Sequence, residues 1–197
     1  MPWRPIVVFL VKAIVLYAVL TAAWPLVDGV YQAMFRFGGS MVVPSYGPGV
    51  TIRFQPLPEA DKYVDTLVHI QNKRNGGASR MKLSARYLGY TPTAILIALV
   101  IATPLTWRRR GRALLWGLPI VCVLVALRIL LHVCEDLDTI RVIQVDGFLE
   151  SVMNLARNAV SRSTFTWYVM PVVVWILVAF RRGDWAALGG EPEDQDT

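Results

Sequence analysis

Two long uncharged runs flank a basic cluster in the middle of the chain. Thr91-Pro92-Thr93-Ala94-Ile95-Leu96-Ile97-Ala98-Leu99-Val100-Ile101-Ala102 leads through Thr103-Pro104-Leu105-Thr106-Trp107 to Arg108-Arg109-Arg110-Gly111-Arg112. The chain then continues as Ala113-Leu114-Leu115-Trp116-Gly117-Leu118-Pro119-Ile120-Val121-Cys122-Val123-Leu124-Val125-Ala126-Leu127. At a rise of ~1.5 Å per residue, about 20 apolar residues cross the ~30 Å hydrocarbon core of a bilayer. The stretch from Thr91 to Val133 therefore predicts two membrane-crossing helices joined by a basic loop. Arg108, Arg109, Arg110 and Arg112 mark that loop as cytoplasmic, because short basic loops stay on that side of the membrane.

The rest of the chain arranges itself around this hairpin. Of its 197 residues, 55% are hydrophobic and the mean hydropathy is +0.46. That composition fits a small polytopic membrane protein better than a soluble domain. The net charge of +6 raises nucleic acid as a partner, but the basic residues form no single patch. Arg4, Arg108 to Arg112 and Arg181-Arg182 sit at the ends of apolar runs, as a topology-setting pattern requires. No basic tract interleaved with aromatics is present, so nucleic acid is set aside.

Residues 1–27 read as an uncleaved N-terminal anchor with its span over Ile6 to Val27. The apolar run is longer than the ~7–15 residues of a signal peptide core. Lys12 lies within it, close enough to the end for its stem to snorkel to the headgroups. Residues 28–90 read as an extracytoplasmic β-rich module. Val50 to Gln55 alternates apolar and polar, with Pro56 and Pro58 expected to end the strand. Val64 to Gln71 and Met81 to Arg86 supply two more strands, and Asn75-Gly76-Gly77 between them supplies the positive φ angles of a hairpin turn.

After the hairpin, residues 134–164 read as an extracytoplasmic amphipathic helix segment, either interfacial or docked on the β module. Residues 165–182 hold a fourth span, with Arg181 and Arg182 at its cytoplasmic border. Residues 183–197 read as a disordered acidic tail. The expected fold is thus membrane α-helical: four transmembrane helices, a small extracytoplasmic β module between helices 1 and 2, and both termini cytoplasmic. The expected location is a bacterial inner membrane, with the lipid bilayer as one partner.

The densest polar cluster is Arg128, His132, Cys134, Glu135, Asp136 and Asp138. Arg128 and His132 are four apart and share a helix face. An arginine at this depth either acts in function or pairs with Asp136, Asp138 or a lipid phosphate to set the depth of the helix. A metal site is disfavoured, since zinc sites prefer paired Cys and His at close spacing. A nucleophile at Cys122 is disfavoured as well. Ten residues of straight helix put it ~15 Å from His132, and an unactivated thiol among apolar neighbours behaves as a small hydrophobe. Cys122 and Cys134 are too far apart on one helix for a disulfide. No catalytic motif occurs, so no cofactor is expected and the protein leans towards a non-enzymatic role.

Ser84-Ala85-Arg86-Tyr87-Leu88-Gly89-Tyr90-Thr91-Pro92-Thr93, running on through Ala102-Thr103-Pro104-Leu105-Thr106-Trp107-Arg108-Arg109-Arg110, resembles the small four-span membrane proteins encoded beside exosortases. Exosortases are bacterial transpeptidase-like enzymes that sort C-terminally tagged exported proteins. The resemblance covers about a third of the chain. It implies an accessory of envelope protein sorting or export, with an exosortase-like or other export component as partner. Arg86, Tyr87, Tyr90, Arg128, His132 and Asp136 are then the candidate functional or partner-contact residues. Read from the residues alone, Tyr87 and Tyr90 are interfacial aromatics and Arg86 is the last external charge before the helix. Two other readings stay open: a membrane enzyme or metal-dependent factor centred on Arg128, His132 and Cys134, and a lipid- or glycan-binding protein using the β module as a cradle.

Overall fold

The computed structural model describes residues 3–43, 49–61, 64–73, 76–139 and 164–180. In chain order these form helices α1 (Trp3–Ala22) and α2 (Trp24–Val42), and strands β1 (Val50–Asp61), β2 (Val64–Asn72) and β3 (Ala78–Leu83). A π-helical turn (Arg86–Tyr90) then leads to α3 (Thr91–Ala102), α4 (Trp107–Thr139) and α5 (Thr164–Ala179). The expected amphipathic segment beyond Thr139, the acidic tail, and Arg181 and Arg182 lie outside the described residues.

Four transmembrane helices are not what the chain builds. Among the described residues, one helix is long and apolar enough to cross a membrane: Trp107–Cys134, 28 residues with a mean hydropathy of 2.5. A second crossing exists only if Ile6–Ala22 and Trp24–Val42 are taken as one span, and these two are bent by 71°. The bend follows from Pro25 in the first turn of α2. Proline has no N–H to return to the preceding turn, and its ring crowds the carbonyl four residues back. The other two expected spans are short. With the π-turn, α3 forms a helix over Arg86–Ala102, 17 residues, and α5 has 16, or about 26 and 24 Å of helix against a core of ~30 Å.

The expected basic loop is also not a loop. Arg108 to Arg112 lie in the opening turns of α4, where the Arg110 N–H donates to the carbonyl of Thr106 at 2.9 Å. The connection from α3 is instead Thr103 to Thr106, with Pro104 stopping the helix before it.

α3 is the axis of the bundle. It is apolar all round, as a helix enclosed by others must be, and it packs against α1, α4 and α5. Trp175 of α5 stacks on Phe9 of α1 at 5.5 Å between ring centroids, and its indole N–H donates to Thr103 Oγ1 at 2.9 Å. Arg110 donates to the Thr103 carbonyl at 3.1 Å. These contacts gather the start of α1, the end of α3, the start of α4 and the end of α5 at one pole, together with Arg4, Arg108, Arg109, Arg110 and Arg112.

The sheet caps the opposite pole. It is antiparallel, in the order β1-β2-β3, and the three expected strands are all present. One face carries Val68, Ile70 and Leu83, which are continuous with Val43, Val133 and Leu137 in a single core. β1 runs on to Asp61 through both prolines that were expected to end it. As an outer strand it needs no N–H on its unpaired side, and Pro56 still lies opposite Thr66 before the register shifts. β3 begins and ends earlier than expected, because Arg86 belongs to the π-turn. Gly76 in the β2–β3 turn has φ +71°, the left-handed conformation that its Asn-Gly-Gly setting predicts.

Candidate functional site

Besides the shared apolar core, one carboxylate ties the sheet to the π-turn. Asp65 on β2 is 8% exposed. It accepts the Ala85 N–H on both oxygens, at 3.1 and 3.0 Å, and the Thr66 hydroxyl at 2.7 Å. Ala85 opens the π-turn, whose wider coil leaves carbonyls poorly matched to the next turn. Thr91 and Thr93 hydroxyls take up two of them, donating to Arg86 O at 3.0 Å and Gly89 O at 2.8 Å.

Against this turn sits an aromatic knot made by the bend between α1 and α2. Trp24, Tyr31 and Tyr90 meet pairwise at 4.8 to 5.8 Å between centroids, within the range in which edge and tilted ring pairs attract. The Arg86 guanidinium lies 5.9 Å over Trp24 and 5.8 Å over Tyr87, close enough for cation–π attraction. Tyr90 donates to the carbonyl of Leu20 at 2.6 Å. Burial pushes its phenol above the ordinary value of 10, against a smaller opposing effect from the Arg86 charge, so it remains a neutral donor at physiological pH. Gly89 permits the close approach: a Cβ there would stand 2.7 Å from Tyr31 Oη.

The candidate residues divide into two groups. Arg86 and Tyr90 join the aromatic knot, whereas Tyr87 is exposed and its N–H is bonded to Ser84 Oγ at 3.2 Å. Arg128, His132 and Asp136 stand at successive helical turns on α4. With Lys82 and Ser84 of the β3 end, and with Leu88, they line a polar cavity of about 380 Å³. Asp136 Oδ2 is buried there and, among the described residues, accepts no hydrogen bond.

Cys134 does not line this cavity, and Cys122 lines a different one. No disulfide joins the two. Among the described residues, no three His, Cys, Asp or Glu side chains come together as a metal site. His69 stays with the sheet and does not approach His132.

Two further surfaces escaped the sequence. The first is an apolar groove of about 290 Å³ between α2, the π-turn and α4, lined by Tyr31, Phe35, Gly89, Cys122, Val125 and Ile129 among others. The second is the outward face of the sheet. Register places Arg53 opposite His69 and His69 opposite Arg80, a row across all three strands. Thr51, Gln55, Gln71 and Lys73 join it around a polar hollow of about 390 Å³ that, among the described residues, no acidic side chain lines. The alternation of β1 signalled that Arg53 points outward, but only the pairing register could align it with Arg80.

No known protein family, curated protein or solved structure matches this chain.

Proposed function

We propose that this protein is a non-enzymatic, membrane-anchored accessory of a bacterial envelope protein-sorting or export system, as its resemblance to exosortase-associated proteins implies. α4 is its anchor in the inner membrane, with the Arg108 to Arg112 end cytoplasmic under the positive-inside rule. The sheet then lies on the extracytoplasmic side. Insertion is supported by the apolar side chains left facing outward: Leu115, Trp116 and Val123 on α4, with Val7, Leu10 and Ile14 on α1, are each at least half exposed. A soluble fold rarely exposes so continuous an apolar surface.

The sheet carries the accessory reading. Its apolar face is sealed on the bundle, so its other face and its outer edges are what it presents. Among the described residues no strand pairs with the outer side of β1 or β3. Such edges recruit an extended segment of a partner through main-chain hydrogen bonds, and the Arg53–His69–Arg80 row favours a partner segment with acidic side chains. Crosslinking in native membranes with a C-terminal tag, followed by mass spectrometry, tests this. Recovery of a multi-span sorting or export protein crosslinked to β1 or β3 is the expected result. Recovery of the chain alone, from membranes that contain the export system, contradicts it.

A lipid-binding role is the second reading, favoured by the juxtaposition of the polar cavity and the apolar groove on α4.

A further inference from the structure

We infer that these two cavities form one site for a membrane aminophospholipid, with an acyl chain in the groove and the phosphoethanolamine headgroup in the polar cavity. The inference rests on the membrane reading of α4. The π-turn and α4 wall both cavities: Leu88 and Arg128 line the polar one, and the next residues along the chain, Gly89 and Ile129, line the apolar one.

Their depths match the two halves of a lipid. Measured from Arg112 along α4, Cys122 is ten residues away and Ile129 seventeen, or about 15 and 26 Å. The groove thus runs through the far leaflet of a ~30 Å core. His132 and Asp136 come 20 and 24 residues after Arg112, or about 30 and 36 Å, which is headgroup level. The groove approaches the ~300–1,000 Å³ usual for ligand pockets, and its glycines and Val125 offer hydrocarbon a smooth wall.

The polar cavity presents both signs of charge. Arg128 is the phosphate donor, its guanidinium a planar fork. The buried Asp136 Oδ2 accepts no hydrogen bond from the described residues, an arrangement that is costly unless a donor arrives. A primary ammonium next to a phosphate supplies that donor. An anionic headgroup without an amine would set a second negative charge against Asp136, and a quaternary choline has no N–H to give. The complementarity therefore selects phosphatidylethanolamine over phosphatidylglycerol and phosphatidylcholine.

The test uses the full chain, reconstituted into bilayers containing equal parts of these three lipids with matched acyl chains. The protein is then extracted in mild detergent, and the lipid it retains is counted by native mass spectrometry. Phosphatidylethanolamine should exceed each competitor by about tenfold, the factor that one charge-assisted hydrogen bond supplies. Asp136→Asn should bring the ratio of phosphatidylethanolamine to phosphatidylglycerol close to one. Arg128→Gln should lower retention of both without changing their ratio. Equal retention of all three lipids by the unmodified chain, or a ratio indifferent to Asp136→Asn, overturns the inference and leaves the membrane reading intact. A chain that alkaline carbonate strips from the bilayer overturns both.

Discussion

Replacing Asp65 by alanine should release the sheet from the helices while leaving the bundle folded. The carboxylate is the acceptor for the Ala85 N–H and the Thr66 hydroxyl, and both of those residues are fully buried at 0% exposure. Truncation orphans two buried donors, each at a cost of about 1–3 kcal/mol, and water entering the gap relieves part of it. A net loss of about 2–4 kcal/mol then falls on the opening of the sheet, which corresponds to roughly a 30- to 700-fold drop in amide protection. Hydrogen–deuterium exchange in detergent or nanodiscs, resolved to peptides covering β2, β3 and α4, reads this directly. Exchange should accelerate across Val64 to Leu83 and stay unchanged in the middle of α4. Asp65→Asn keeps one acceptor for Ala85 and should lose less than half as much. Unchanged protection of β2 and β3 in Asp65→Ala would refute the idea that this carboxylate holds the sheet in place. So would equal acceleration in α4, because the sheet would then not be a separable unit.

Other consequences follow from the same contacts. Gly89→Ala brings a methyl to within 2.7 Å of Tyr31 Oη, and the Trp24 and Tyr90 rings limit how far Tyr31 can move. An overpacking cost of about 1–3 kcal/mol should appear as a lower melting temperature, whereas alanine at Gly29, which has open space around it, should be tolerated there. Thr103→Val removes the acceptor for the Trp175 indole at the basic pole; a loss of about 1–2 kcal/mol should accompany a shift in tryptophan emission. Because burial raises the Tyr90 phenol above 10, its contribution to stability is complete below that pH and fades as pH climbs through the raised value. Tyr90→Phe should abolish that alkaline phase of unfolding, and persistence of the phase would assign it to another group.

The strands were legible in the sequence because alternation and the Asn75-Gly76-Gly77 turn act locally. Their ends were less so. Whether Pro56 stops a strand depends on whether the strand lies at an edge, which is a property of the finished sheet. The span count misread the helices for a related reason. Hydropathy registers the absence of charge, but Pro25 and Pro104 decide where a helix bends or stops, and they turn long apolar runs into a bent pair and a short central helix. The basic cluster does stand at the end of a long apolar helix, but inside its first turns and not in a loop, since arginine is itself a good helix former. At the site, helical spacing was enough to place Arg128, His132 and Asp136 on successive turns. Nothing in the spacing could show that the end of β3 would border them, that Cys134 would stay out of their cavity, or that Arg53 and Arg80 would flank His69. Those are matters of tertiary register.

The claim on which the rest depends is that α4 crosses the bilayer with its arginines on one side and the sheet on the other. Cysteine accessibility tests it most directly, with Arg109→Cys and Arg53→Cys introduced singly where Cys122 and Cys134 are replaced by serine. A membrane-impermeant maleimide should label the Arg53→Cys protein in intact spheroplasts and the Arg109→Cys protein only after permeabilisation. Labelling of both before permeabilisation, or of neither until it, would place the sheet and the arginines on the same side and contradict the account.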